Sequence, residues 1–213
     1  SSLDSLLQAA IEQYGPEITQ VSVQVSQVKL APADGKGSIQ GLRLGNPRGF
    51  GTESSLKAGE IRLQIEPASL ARDLIVIKEV VIQYPEVTYE SGSAGSNLET
   101  IQKNIENYVA RFSSGKQNEG APGKKLVIEN LYIRDGRVNV NTALTAGKTL
   151  SSPIPNLHLR DIGKKTNGAT AGEVAKQVWD ALVRNTGNVV ASLGGAIKEG
   201  TKSLIDSAKK FFK

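Results

Sequence analysis

The stretch Ile128–Val138, "IENLYIRDGRV", decides the fold, because the chain states its pattern four times. Residues 77–87 read "IKEVVIQYPEV", residues 39–47 "IQGLRLGNP" and residues 154–161 "IPNLHLRD". Each is Ile-x-x-(Leu/Val)-x-(Ile/Leu), and a turn residue usually follows. The pairs Leu42/Leu44, Val80/Ile82, Leu131/Ile133 and Leu157/Leu159 put two apolar side chains on one face of a strand, since side chains alternate with a period of two. The second and third copies align at an offset of 51, Ile77 with Ile128, Val80 with Leu131, Ile82 with Ile133, Pro85 with Gly136 and Val87 with Val138. That offset lies near the range of repeat architectures.

Between these copies other segments alternate. "ITQVSVQVSQVKL" (18–30) sets Val21, Val23 and Val25 against Ser22, Gln24 and Ser26, and "AGEIRLQIEP" (58–67) sets Ile61, Leu63 and Ile65 on one side. Residues 73–90 read as two strands broken near Pro85, because proline cannot donate to a ladder. About eight to ten strands at roughly 4.8 Å spacing give a sheet on the order of 40–50 Å wide.

Three segments carry helical spacing. In residues 3–14 the apolar positions are Leu3, Leu6, Leu7, Ala10, Ile11 and Tyr14, and Gly15-Pro16 is expected to end the helix. In residues 97–112 Asn97 is the expected N-cap, and Leu98, Ile101, Ile105, Tyr108, Val109 and Phe112 form the stripe. From Thr170 onward a capping box with Glu173 opens a tail. Its glycines predict two helices with a break near 194–195, each interior Gly costing about 1 kcal/mol against Ala. Residues 113–125 read as a flexible linker and 145–148 as a turn.

The chain of 213 residues is 38% hydrophobic and 22% charged, the composition of a globular protein, with a core resting on Val, Ile and Leu because aromatics are 5%. The absence of Cys removes disulfides and thiolate metal sites. A net charge of +5 is too small to imply nucleic acid. The excess sits in residues 196–213, where five lysines face two acids. No run of 18 apolar residues exists to span a bilayer as a helix. The chain opens at Ser1 and holds no Met, for which a removed signal or anchor is the favoured reading and a tag remnant the alternative.

No catalytic motif emerges. His158 is the single histidine and has no Cys or second His to form a triad or a metal site. The Arg-Asp steps at 134–135 and 160–161 read as surface pairs or turn caps. The apolar face of the strands and the tail are the features with functional content. The face is either open to acyl chains or covered by the chain's own helices. The tail sets Ile197, Leu204, Phe211 and Phe212 against Lys209 and Lys210, a basic amphipathic helix suited to a membrane surface or a partner helix. Trp179 is expected to anchor at an interface or to pack.

The phrases "VVIQYPEVTYE" (80–90), "LVIENLYIRDGRVNV" (126–140) and "IQGLRLGNPRGF" (39–50) resemble the repeat units of the bacterial AsmA-like proteins, within the repeating β-groove group. The resemblance covers residues 18–162. It implies a curved sheet with an apolar concave face, an N-terminal membrane anchor, a periplasmic or cell-envelope location, and phospholipid transport or outer-membrane homeostasis.

The expectation is therefore an α+β protein with a curved, mostly antiparallel, repeat-built β-groove. It has an N-terminal helix (1–16), a groove domain (17–163) with an inserted helix (97–112), and a helical tail (164–213). Expected lipid contacts are Leu42, Leu44, Val80, Ile82, Leu131, Ile133, Leu157 and Leu159. Expected membrane or partner contacts are Trp179, Ile197, Leu204, Lys209, Lys210, Phe211 and Phe212. No catalytic residue, cofactor, metal or nucleic-acid partner is expected. The expected partners are phospholipid or a membrane surface, and a second copy or envelope protein at the tail. The alternative function is a structural adaptor assembled through those helices.

Overall fold

A computed structural model describes residues 1–113, 123–142, 145 and 148–211; along the last helix, described side chains end at Gly195 apart from Asp206, Lys209 and Lys210. The expected linker and the expected turn at 145–148 lie largely outside the described residues. The fold is α+β. Three helices, α1 (Ser2–Thr19), α2 (Asn97–Ser113) and α3 (Ala171–Phe211), accompany a ten-stranded sheet. The strands are β1 (Val23–Gln24), β2 (Gln27–Ala31), β3 (Lys36–Leu44), β4 (Leu56–Ile65), β5 (Leu74–Gly92), β6 (Gly95–Ser96), β7 (Lys125–Arg134), β8 (Arg137–Asn141), β9 (Leu150–Pro153) and β10 (Leu157–Ile162).

The main order is β1-β3-β4-β5-β7-β10, with β2 beside β3 and with β8 between β5 and β9. The sheet is mixed. β5 runs parallel to β7 and β8, joined to them by the α2 crossover, and the other described pairings are antiparallel. The offset of 51 is a physical register. Ile77 lies beside Ile128, Val80 beside Leu131, Ile82 beside Ile133 and Val87 beside Val138. Antiparallel pairing continues these rows: Ile39–Ile61–Ile82–Ile133–Leu157 in one, Ile65–Ile77–Ile128–Ile162 in another.

The odd spacing inside the repeat has a cause. Ile77 and Val80 are three apart, so in a flat strand they would face opposite ways. Both are buried, and the register against β4 shifts between Gln64 and Ile65, where Lys78 is the extra residue. A second crease runs across β3, β4 and β5 to the end of β7. Gly41 (φ 66°), Tyr84 (φ 53°) and Asp135 (φ 54°) take a left-handed backbone, and the ladders skip Gly41, Gly59 and Tyr84 between the Gln40–Glu60–Gln83 and Leu42–Ala58–Pro85 rows. It adjoins the gaps between β1 and β2 and between β7 and β8. At Gly41 only glycine fits, because a Cβ would strike the Ser26 side chain. Residues 73–90 are accordingly one strand bent at Pro85, where the expectation was two.

The helices end and begin differently from the sequence reading. α1 runs through Gly15-Pro16 to Thr19, whose hydroxyl donates to the Gly15 carbonyl at 2.7 Å. Gly15 is there because α1 crosses β1 so closely that a Cβ would sit 2.9 Å from Val23. α2 is capped one residue before Asn97. The Ser96 hydroxyl accepts from Glu99 N at 3.1 Å, and the Glu99 carboxylate accepts from Ser96 N at 2.8 Å. Asn97 is fully buried and bonds Glu90, Thr88 and Asn46. At α3 the expected box forms, with Thr170 and Glu173 exchanging 3.2 Å bonds. α3 is a single helix of 41 residues, not two. Nothing lies within 4 Å of a Cβ built on Gly194 or Gly195, and a propensity loss of about 1 kcal/mol per Gly leaves the ladder intact.

Candidate functional site

The apolar face of the sheet is roofed by the helices. α2 packs against both α1 and α3. Ile18 from α1, Leu98, Ile101, Ile105 and Tyr108 from α2, and Trp179 and Leu182 from α3 share one core with the strand residues. Val80, Leu131 and Ile133 are buried in that core, with Leu44. Leu42 and Ile82 are half-buried, as are Leu157 and Leu159 at the sheet margin. Of the two readings of this face, open groove or covered core, the described residues match the second over most of its area.

The roof leaves an apolar gap. A cavity of about 200 Å³ lies between the sheet and the three helices. Leu42, Leu44, Ile82 and Ile133, four of the expected lipid contacts, line its floor. α1 contributes Gly15, Ile18 and Thr19, α2 contributes Ile105, and α3 contributes Ala175, Val178, Trp179 and Leu182. Val80, Leu131, Leu157 and Leu159 do not reach it. The helical lining was absent from the expected site. Its signal was the apolar stripe on each helix, which the sequence shows without saying which strand row each stripe covers.

Trp179 is 5% exposed, and its indole N–H donates to the Leu98 carbonyl at 3.0 Å. The expectation of an interfacial anchor is therefore corrected. The indole bridges α3 to α2 and walls the cavity, because a buried N–H must find an acceptor. Beside it, burial pushes the Asp180 carboxyl up, and the Lys176 and Gln102 hydrogen bonds, at 2.6 and 2.9 Å, hold it below its ordinary value. The Gln102–Asp180 bond ties α2 to α3.

Lys209 and Lys210 are exposed on α3. The side chains of Ile197, Leu204 and Phe211, and all of Phe212, lie outside the described residues. No helix among the described residues is long and apolar enough to cross a membrane.

The other face of the sheet is largely polar and carries a larger open hollow, about 830 Å³, lined by Lys29, Lys36, Glu60, Arg62, Glu79 and Arg134 together with Leu30, Ala31, Leu63 and Val81. His158 stands on this polar face, stacked on Tyr132 at 4.2 Å with Nε2 2.8 Å from Asn130 Oδ1. The Arg134 guanidinium lies over the Tyr132 ring, 4.3 Å from its centroid. Asp135 accepts from Gln83 and Asp161 pairs with Lys164, so neither Asp pairs with its neighbouring Arg. Among the described residues no three His, Cys, Asp or Glu side chains are grouped to hold a metal. No protein-family model matches the chain, and no curated protein matches it.

Proposed function

We propose that the protein is a non-enzymatic lipid-handling protein of the bacterial cell envelope, AsmA-like in its repeat phrases, in which the curved sheet is a β-groove with a helical cover. The observation that carries this reading is the cavity under the roof, floored by the repeat residues Leu42, Leu44, Ile82 and Ile133 and bordered by apolar helix positions. Its lining offers hydrocarbon rather than hydrogen bonds, so it selects an acyl tail and leaves a headgroup outside. Burial yields about 0.8 kcal/mol per CH₂.

Size limits how much of a tail enters. An apolar cavity of about 150 Å³ holds a benzene-sized guest, so 200 Å³ takes the end of one acyl chain. A longer insertion requires the helices to part.

A second reading is an adaptor whose α3 drives assembly. It is favoured by the length of α3, 41 residues from Ala171 to Phe211, with Leu193 the last residue among those described that packs on the core. Native mass spectrometry of protein purified from a bacterial host separates the two. Species heavier than 22.6 kDa by one phospholipid or fatty-acid mass are expected. Bare monomer throughout overturns the lipid reading, and bare multiples transfer the function to α3.

A further inference from the structure

The two margins of the sheet are treated differently. Along the β1–β2 margin, α1 presents Asp4, Gln8 and Glu12, one side chain per turn. Asp4 Oδ1 accepts from Leu30 N at 2.8 Å and Glu12 Oε1 accepts from Val25 N at 3.1 Å, while Gln8 Nε2 donates to the Val25 carbonyl at 3.0 Å. A helical stripe with four-residue spacing thus occupies backbone groups that an edge strand would otherwise expose. The opposite margin is β10, paired only with β7. On its outer side the main chain of Leu157–Arg160 makes no hydrogen bond among the described residues. In an antiparallel pair every second residue turns its N–H and C=O away from the partner, so β10 offers a short open ladder. The crease at Asp161 (φ 53°) ends it on one side and Pro155 on the other.

Both faces beside this ladder specify what could pair with it. On the core side Leu157 and Leu159 are only half-buried. On the solvent side stand His158 and Arg160, exposed, with Arg134 behind them on β7. Arg134 and Arg160 make no ion pair among the described residues. The nearby acid Asp161 is taken by Lys164, and Glu79 lies two strands away in the Arg160 row.

We infer that β10 is a docking edge for an extended segment of another protein in which apolar residues alternate with Asp or Glu. The incoming strand adds to the sheet, its apolar side chains covering Leu157 and Leu159 and its carboxylates meeting His158, Arg160 and Arg134. A second copy of this chain fits less well. Its own β1–β2 margin is closed by α1, and pairing two β10 strands antiparallel about Leu159 sets His158 beside the other copy's Arg160. The inference does not depend on the cavity.

The test uses the full chain and a fluorescently labelled heptapeptide alternating Glu and Val, followed by anisotropy. Saturable binding is expected for this peptide and not for its Lys-Val counterpart. Full N-methylation of the peptide amides is expected to abolish binding while leaving its charge unchanged. Arg160→Glu is expected to weaken the Glu-Val peptide about tenfold. The double variant His158→Glu, Arg160→Glu is expected to prefer the Lys-Val peptide. Absence of binding, or equal binding of the N-methylated peptide, overturns the inference. So does a homodimer in solution that either substitution dissolves.

Discussion

Tyr84 shows how much a single residue here gives up for the fold. It holds φ 53° in the middle of β5, and its side chain is 68% exposed. A bulky residue in the left-handed region costs about 1 kcal/mol or more, and packing returns little at such exposure. Tyr84→Asn, which adopts that conformation more readily, is expected to raise stability by about 1 kcal/mol, read as a higher denaturation midpoint. An unchanged or lower midpoint would mean that the Tyr84 ring makes a contact worth the strain. This crease was partly legible in the sequence. Gly41 and Pro85 announce irregular strands, and the three-residue step inside each repeat is incompatible with plain alternation. Asp135 is a residue type that visits the left-handed region, but nothing in Tyr84 announced it, because the requirement there comes from neighbouring strands bending at the same level.

Polar groups at the ends of the elements tie them together. Glu90, near the end of β5, accepts from Gly51 N, Thr52 N and the Thr52 hydroxyl at 2.8, 3.0 and 2.6 Å, and its own N–H reaches Asn97. The loop after β3 is thereby pinned to β5 and to the start of α2. Burial raises the Glu90 carboxyl, but the three donors outweigh it and hold the group below its ordinary value. A depressed folded-state value means that the stabilisation is present above the unfolded value and lost as pH falls through the folded one. Glu90→Gln is therefore expected to be less stable than the parent near neutral pH, with the gap narrowing as thermal melts are run from about pH 7 down to about pH 3. Equal gaps across that range would contradict the assignment. At this scale the sequence showed where helices lie but not where they stop. Pro16 and Gly194-Gly195 read as breaks, yet α1 and α3 pass through them. Local propensities, about 1 kcal/mol for an interior Gly and about 3 kcal/mol for Pro, compete in α1 with the burial of Ile18 beyond the proline. Asn97 read as a cap because of its residue type, whereas Ser96 does the capping and Asn97 spends its amide on Asn46 and Thr88.

For the whole molecule the decisive fact is that three helices cover the repeated apolar face. The apolar rows were readable because apolar spacing and the 51-residue offset are set locally along the chain. Their cover was not, since an apolar stripe on a helix is equally suited to a sheet, a membrane or another helix. Trp179 illustrates the ambiguity, with an aromatic ring and a polar tip that fit an interface in sequence and a sealed wall in the fold. The same position gives the account its most direct test, because Trp179 is the sole tryptophan and faces the cavity. The measurement is quenching of its emission by a medium-chain fatty acid carrying bromine at the tail end, in the parent and in the cavity-filling variants Ala58→Leu and Ala175→Leu. Two variants guard against one that misfolds, since overpacking costs about 1–3 kcal/mol. Saturable quenching in the parent, lost in a folded filled variant, is the expected result. An unquenched Trp179, or quenching that survives filling, would show that the repeated face is only the protein's own core.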